Sequence, residues 1–170
     1  MHETAQDIAT LQDLLDRSYR QAGQHLLAIH GEARRLKAAE LVARLQGMCL
    51  LIVTTVSKDC RPVGAPLDGV FPRGAFYFGT DPSAVRWRHL RVNPSVSATY
   101  LPSEDWSVTV HGRALPVDVG PSDPEGLRST LIEVYTPLYG EEWASFLDSG
   151  PVYARIEAAS MFALDVTRCV

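Results

Sequence analysis

The stretch 47-GMCLLIVTTV-56 is where the sequence changes from helical spacing to the composition of β-strands. Within it, "CLLIVTTV" (residues 49–56) is the first of five runs rich in β-branched and aromatic residues, and the other four are "RPVGAPLDGVF", "AFYFG", "SVSATYL" and "WSVTVHGRALPV". The segments "SKDC", "PRG" and "LPSED" between runs are typical of turns, and links this short join antiparallel neighbours. Because consecutive hairpins bury their apolar faces most completely when the sheet curls up, we predict a mainly β fold built on an antiparallel barrel.

Helical spacing dominates on the N-terminal side of this stretch. Apolar residues recur at three- and four-residue steps through residues 7–30, which predicts one amphipathic helix, and a second helix is predicted at residues 35–46. Gly47 suits the C-terminal cap of the second helix, because glycine adopts a left-handed backbone without a Cβ clash. We therefore interpret residues 1–46 as a helical extension.

On the C-terminal side, helical spacing returns at residues 124–139 and 141–147, and two last strands are predicted near residues 152–157 and 161–166. A chain of 170 residues can bury one good core, whereas two halves would each bury little. We predict a single domain, in which residues 47–170 form the barrel with its inserted helices.

The composition is that of an ordinary globular protein, with 46% apolar residues, 21% charged residues and a net charge of -4. A general affinity for nucleic acid is therefore not expected. The longest apolar run is well short of the roughly 20 residues that span a bilayer, and the acidic N-terminus does not resemble a secretory signal. We expect a cytoplasmic protein that does not bind membranes. Cys49, Cys60 and Cys169 lack C-x-x-C spacing, so reduced thiols and no metal site are predicted.

The segment 79-GTDPSAVRWRHLR-91 concentrates basic residues in an otherwise acidic chain. Thr80 or Asp81 could cap a helix by accepting a backbone N–H, and Pro82 is well tolerated at a first helical position. The pattern therefore predicts a helix that begins near Pro82.

Arg86 would then lie close to the start of this helix. A helix N-terminus carries a partial positive charge, so an arginine there is useful mainly when an anion shares the site, and phosphate is the best-fitting anion. The alternative is a solvated helix face, with Arg88 and Arg91 in water while Trp87 and Leu90 face the barrel. Both interpretations remain open for the segment.

The order of "RPVGAPLDGVF", "FYFGT", a basic residue six positions after that threonine, "NPSVSATY" and "WSVTVHGRA" resembles the pyridoxamine 5'-phosphate oxidase-like, FMN-binding split-barrel family over residues 47–117. The resemblance implies a six-stranded antiparallel split β-barrel with flanking helices. It also implies a homodimer with FMN between the two subunits.

The resemblance further implies a set of cofactor-binding residues. These are Val63, Gly64, Ala65, Pro66 and Leu67 along the isoalloxazine ring, Phe78, Gly79 and Thr80 beside the ribityl chain and phosphate, Arg86 at the phosphate, and Trp106 and Ser107 from the opposite subunit. No catalytic residue is assigned, and no metal ligand is implied.

Two positions depart from the family pattern. Asp68 stands where the oxidase has a lysine for the phosphate, and Val85 stands where it has an arginine. The C-terminal segment "YARIEAASMFALDVTRCV" also lacks the arginine and histidine pattern that grips pyridoxamine phosphate. The resemblance therefore predicts a flavin-dependent oxidoreductase for another, unidentified small molecule. The alternatives are a deazaflavin-dependent reductase and a non-catalytic module that binds flavin or haem.

The histidines do not form a metal or acid–base motif. His25 and His30 are five residues apart in a predicted helix, so they do not share one face as a zinc-binding pair must. His111 alternates with valines on a predicted strand, where we expect a barrel-facing or interface position.

Overall fold

The computed structural model describes residues 3–123 and 126–168. Its six strands are β1 (Cys49–Val56), β2 (Pro62–Val70), β3 (Tyr77–Thr80), β4 (Ser95–Tyr100), β5 (Trp106–Val117) and β6 (Val152–Asp165). Its α-helices are α1 (Ala5–Arg20), α2 (Gln24–Ile29), α3 (Ala38–Arg44), α4 (Val85–Val92), α5 (Leu127–Tyr139) and α6 (Trp143–Asp148), with short 3-10 turns at Glu32–Arg34 and Pro72–Gly74. The strands close into one antiparallel barrel in the order β1-β2-β3-β6-β5-β4. The predicted six-stranded antiparallel barrel with flanking helices is confirmed.

The first strand buries one face inside the barrel and exposes the other. Cys49, Leu51 and Val53 are buried inside the barrel, whereas Leu50 and Ile52 point outward and are 59% and 47% exposed. This alternation of faces is the period-two pattern of a strand that buries one face only. The inner face of β1 therefore contributes apolar side chains to the barrel interior, and the apolar outer face of β1 is exposed.

A second buried cluster lies outside the barrel, beneath α5 and α6. It joins outward-facing residues of β2, β3 and β6 to the inner side of the two helices. Its buried members are Val70, Tyr77, Val119, Leu127, Leu131, Tyr135, Leu147 and Tyr153. The helices inserted between β5 and β6 thus cover one side of the barrel with a second apolar cluster that includes three tyrosines.

The N-terminal helix α1 is held on β6 by polar contacts as well as by leucines. The Ser18 hydroxyl accepts the backbone N–H of Met161 at 2.9 Å. The Tyr19 hydroxyl donates to the Ala163 carbonyl at 2.9 Å and accepts the Ala163 N–H at 3.2 Å. These hydrogen bonds connect α1 to buried backbone groups of β6.

The predicted single helix over residues 7–30 is wrong. The chain forms two helices instead: Gln21 ends α1, and Gly23, with an extended backbone at φ -69° and ψ 154°, precedes α2. An apolar repeat can continue across such a break, so periodicity alone does not reveal it.

The second N-terminal helix is shorter than the predicted residues 35–46. Arg35 instead forms a β-bridge with Leu164, and the Leu36 N–H donates to the Ala163 carbonyl at 3.1 Å. Strand-like pairing with β6 therefore delays the start of α3 to Ala38. Gly47 has the left-handed backbone expected of it, at φ +79°.

The two C-terminal strands predicted at residues 152–157 and 161–166 are one continuous strand, β6. The "AAS" segment between them contains neither glycine nor proline, so nothing there ends the strand. The pairing with β5 shifts register between His111 and Gly112, which is a β-bulge. Gly112 is required there, because a Cβ atom would lie 2.1 Å from the Glu157 carbonyl oxygen.

The helices predicted at residues 124–139 and 141–147 are present as α5 and α6. Pro124, the predicted first residue of the earlier helix, lies outside the described residues, as does Cys169. Cys49 and Cys60 are free thiols, and burial raises the pKa of Cys49 to about 12.

Neither a membrane-spanning helix nor a cluster of metal-binding side chains is found among the described residues. None of the helices that these residues form is long and apolar enough to cross a bilayer. Within residues 3–123 and 126–168, no group of three His, Cys, Asp or Glu side chains could hold a metal ion.

Candidate functional site

The basic helix starts three residues later than predicted. It begins at Val85, its N-cap is Ala84, and no side chain caps it. The Asp81 carboxylate accepts the backbone N–H of Ser83 at 2.7 Å and the Ser83 hydroxyl at 2.5 Å, so it closes a local turn rather than the helix. The prediction of a start near Pro82 is therefore wrong, and Arg86 becomes the second residue of an eight-residue helix.

Arg86 is nevertheless brought to the predicted threonine. Its Nη1 donates to the Thr80 hydroxyl oxygen at 3.4 Å, and the side chain is half-buried. No carboxylate among the described residues forms an ion pair with it. Arg88 and Arg91 are exposed on the same helix, whereas Leu90 is buried. The basic segment thus divides into two solvated arginines and one sheltered guanidinium beside a hydroxyl.

The predicted ring-binding residues on β2 face two ways. Leu67 lies opposite Leu51 and is buried, and Ala65 lies opposite Val53 on the same inner face. Gly64 and Pro66 occupy the outer face. The backbone and these two outer residues are presented to a ligand on the barrel surface, and Val63, near the start of β2 and opposite Thr55, is also 43% exposed.

At Gly64, no side chain projects from this outer face. Gly64 pairs with Thr54 of β1, and a Cβ atom at residue 64 would lie 3.0 Å from the Thr54 hydroxyl oxygen and 3.8 Å from Ile52 Cγ2. A side chain at this position would therefore rise above the sheet and crowd its neighbours.

The predicted residues of β5 lie elsewhere. Trp106 pairs with Asp165 at one end of β6, whereas Thr80 pairs with Val152 at the other end. The separation along β6 is a path of about 40 Å at the usual strand rise. Trp106 also points inward, where its ring contacts Tyr100. Within one chain, the structure does not bring Trp106 and Ser107 together with Arg86.

A cavity of about 360 Å³ adjoins Thr80. Its walls include Asp68, Gly79 and Thr80 from the barrel, Trp143 and Phe146 from α6, and Tyr153 from β6. Sequence analysis placed only Gly79 and Thr80 at a binding site and missed the aromatic residues. Gly79 is needed for this wall, because a Cβ atom would lie 2.7 Å from Tyr153 Cε1.

Asp68 is the polar centre of this cavity. The Asp68 carboxylate lies near the hydroxyl groups of Tyr135 and Tyr153. Burial and, secondarily, this carboxylate raise the pKa values of Tyr135 and Tyr153. Both phenols therefore stay protonated and can act only as neutral hydrogen-bonding groups at physiological pH.

The outer face of β1, β4 and β5 forms a separate surface. Leu50, Ile52 and Leu101 are 59%, 47% and 62% exposed on or beside it. His111 is also on this face, and its Nδ1 lies 2.8 Å from the Ser97 hydroxyl. Contiguous exposed apolar residues of this kind are typical of an interaction surface.

Solved structures share this arrangement of strands. The chain aligns with a conserved hypothetical protein from Mycobacterium tuberculosis at a TM-score of 0.64 and 20% identity, covering 79% of this chain and 88% of that one. HutZ, the haem storage protein from Vibrio cholerae, aligns at 0.57 and 20% identity, covering 74% and 93%. A proposed pyridoxamine 5'-phosphate oxidase from Listeria innocua aligns at 0.57 and 16% identity, covering 74% and 96%.

The fold is the split barrel. An F420 reductase and an FAD-binding protein from Mesorhizobium loti share this split barrel at TM-scores of 0.52 and 0.51, with 15% and 21% identity, covering 70% and 76% of this chain and 93% of each of theirs. No protein-family model and no curated protein matches the sequence. Identities this low show the split barrel alone, so the ligand has to be argued from the site.

Proposed function

We propose that this split barrel is a flavin-binding oxidoreductase that uses FMN and acts on a small molecule other than pyridoxamine phosphate. The proposal depends mainly on the half-buried Arg86 guanidinium, 3.4 Å from the Thr80 hydroxyl and without a carboxylate partner in the described chain. A guanidinium, a hydroxyl and the free N–H groups of a helix start together suit a phosphate monoester.

The neighbouring surface suits a flat ring. Because Gly64 has no side chain and that of Pro66 is short, the outer face of β2 is nearly flat, and Ile52 beside them offers an apolar contact. The chain's residues would hold the phosphate at Arg86 and Thr80 and cover one ring face with β2. When bound, the flavin would supply hydride and electron transfer.

The proposed site is completed by a second copy of the chain. The outer face of β1 and its neighbours exposes Leu50 and Ile52, which in a homodimer would be buried. A two-fold interface would bring the second copy's Trp106 and Ser107 towards the first copy's β2, as the family resemblance implies. Since Trp106 points into its own barrel, Ser107 and the backbone are the groups that remain available for contact.

Two proteins with this fold support a flavin-type cofactor, because they are named as an FAD-binding protein and an F420 reductase, whereas a haem storage protein of the same fold fits a non-catalytic binding module. The second candidate is a deazaflavin-dependent reductase. The exposed Arg88 and Arg91 favour it, since they could meet a long anionic tail. The third is a binding module without turnover.

Paired titrations with FMN and riboflavin test the phosphate site. Arg86→Met should weaken FMN binding about tenfold or more, because a charge-assisted hydrogen bond is lost, and should leave riboflavin affinity unchanged. Arg88→Met is the matched control, an exposed arginine two residues away, and should change FMN affinity less than about twofold. Equal losses for FMN and riboflavin would show that Arg86 does not bind the phosphate.

Competing cofactors separate the candidates. Tighter binding of F420 than of FMN would favour the deazaflavin reductase. Haem uptake without any flavin-dependent oxidation of NADH or NADPH would favour the binding module. A protein that is purified without flavin and takes up no added FMN would contradict the proposal.

The dimer has its own test. Ile52→Lys would place a charge twice in a two-fold interface, so the dimer should dissociate at concentrations where the wild type does not. Val92→Lys on α4, at a residue 77% exposed, is the control. Light scattering after gel filtration measures both masses, and a monomeric wild type would contradict the homodimer.

A further inference from the structure

The cavity beside Thr80 has a sign of charge opposite to that of the phosphate site. It contains the carboxylates of Asp68 and Asp81, and none of the described residues that line it is basic. Arg86 reaches Thr80 from α4 but does not line the cavity. Two adjoining subsites are thus present, one suited to an anion and one that repels it.

Asp68 lacks the partner that a sheltered carboxylate usually has. It is half-buried on the outer face of β2, and no Lys, Arg or His in the described chain forms an ion pair with it. The Tyr135 hydroxyl near it is neutral and does not balance its charge. A carboxylate withdrawn from water in this way interacts strongly with any cation that enters the cavity.

The remaining walls are aromatic. Trp143 and Phe146 lie side by side on α6, with ring centroids 4.8 Å apart, and Tyr153 lies across the cavity floor against Gly79. Phe146 is 46% exposed although it is a large apolar residue. Electron-rich ring faces attract ammonium groups and pack against the apolar part of a ligand.

We propose that this cavity binds an organic cation, a protonated amine that carries an apolar group about the size of one aromatic ring, with Asp68 as its counterion. A volume of about 360 Å³ suits a ligand of this size. The inference rests on the proposed function in one respect, because it identifies the cation as the substrate that meets the flavin. The binding site itself does not depend on a flavin.

Three probes of nearly equal shape test the charge preference: benzylamine, which is protonated at neutral pH, neutral benzyl alcohol and anionic benzoate. Calorimetric titration of the full chain should give benzylamine an affinity at least about tenfold higher than that of benzoate. Benzoate binding as tight as benzylamine binding, or no benzylamine binding at millimolar concentration, would overturn the proposal.

Two isosteric variants assign the preference to Asp68. Asp68→Asn should weaken benzylamine binding about tenfold and leave benzyl alcohol binding within about twofold, which also shows that the cavity is still folded. Asp81→Asn removes the same charge from an exposed carboxylate at the cavity mouth and should change benzylamine binding less than about threefold. Equal effects of the two variants would mean that net charge, rather than a specific counterion, attracts the amine.

A third variant tests the aromatic wall of the cavity. Phe146→Ala should weaken benzylamine and benzyl alcohol together, because both lose the same ring contact. An unchanged affinity for both probes would place them outside the cavity and would contradict the proposal.

The outcomes for the two proposals can be distinguished. Benzylamine binding that depends on Asp68 in a protein that never takes up flavin would support the cation site and reject the flavin proposal. FMN binding that depends on Arg86 together with a cavity that shows no preference for the amine would do the reverse.

Discussion

Asp165 and Asp68 are two sheltered carboxylates with entirely different interaction partners. Asp165, at the end of β6, is 4% exposed and forms an ion pair with Arg44 of α3 at 2.6 Å. Its other oxygen accepts the N–H of Thr167 at 3.1 Å and the Thr167 hydroxyl at 2.6 Å. Asp68, beneath α6, lies near the neutral Tyr135 hydroxyl and has no cation partner in the described chain.

The difference separates a structural region from a region that can bind a ligand. Hydrogen bonds from Thr167 and the ion pair with Arg44 lower the pKa of Asp165 to about 2, so the charge stabilises the fold. The charge on Asp68 has no basic partner among the described residues, so no ion pair formed by them adds to the stability of the fold there. Asp68, in an aromatic cavity and without an ion pair among the described residues, is therefore the better candidate for binding a ligand, whereas Asp165 joins α3 to the end of β6.

The largest expected effect is at the paired carboxylate. Asp165→Ala leaves Arg44 without its partner and Thr167 without its acceptor, so we expect a loss of about 2–4 kcal/mol in the free energy of unfolding. Urea denaturation measures it. Glu40→Ala removes another carboxylate of the same joint, paired with Arg168 at 2.6 Å but 40% exposed, and should lose only about 0.5–1 kcal/mol. Equal losses would break the distinction between the two regions.

A smaller effect is expected on lowering the pH. The folded pKa of Asp165 is depressed from 3.8 to about 2, so its contribution is complete above the unfolded value and is lost as the pH falls towards about 2. Between about pH 5 and pH 2, the wild type should lose about 1–2 kcal/mol more stability than Asp165→Asn. Parallel stability curves for the two proteins over this range would contradict the assignment.

The smallest effect on stability is expected at Asp68. Asp68→Asn keeps the shape of the side chain and removes a charge that has no basic partner among the described residues. We therefore expect a stability within about 0.5 kcal/mol of the wild type, or slightly above it. Thermal and urea unfolding check this, and a loss as large as that of Asp165→Ala would mean that Asp68 is a structural residue.

The sequence predicts strands better than helix boundaries. The runs for β1 and β5 match the observed strands residue for residue, because alternating faces and turn residues act locally. The apolar repeat continues across the helix break at Gly23 and does not reveal it, and the two runs predicted as separate strands join into one strand, β6. The start of α4 was misplaced because Asp81 closes a turn with Ser83 instead of capping the helix.

The candidate site is predictable in part for the same reason. Thr80 and Arg86 are six residues apart, so their contact follows from a strand, a turn and a helix. Trp143, Phe146 and Tyr153 come from elements more than 60 residues further along the chain, and only the folded barrel brings them to Gly79 and Asp68. The sequence shows that Asp68 replaces the lysine of the family pattern. The function proposed for Asp68, however, depends on the aromatic residues that the fold places around it.

A crystal structure of the chain with FMN tests the central claim most directly. We predict electron density for one phosphate within hydrogen-bond distance of both the Arg86 guanidinium and the Thr80 hydroxyl, with the ring over Gly64 and Pro66 at the contact between two copies of the chain. A phosphate bound elsewhere, with Arg86 in open solvent, would contradict the account.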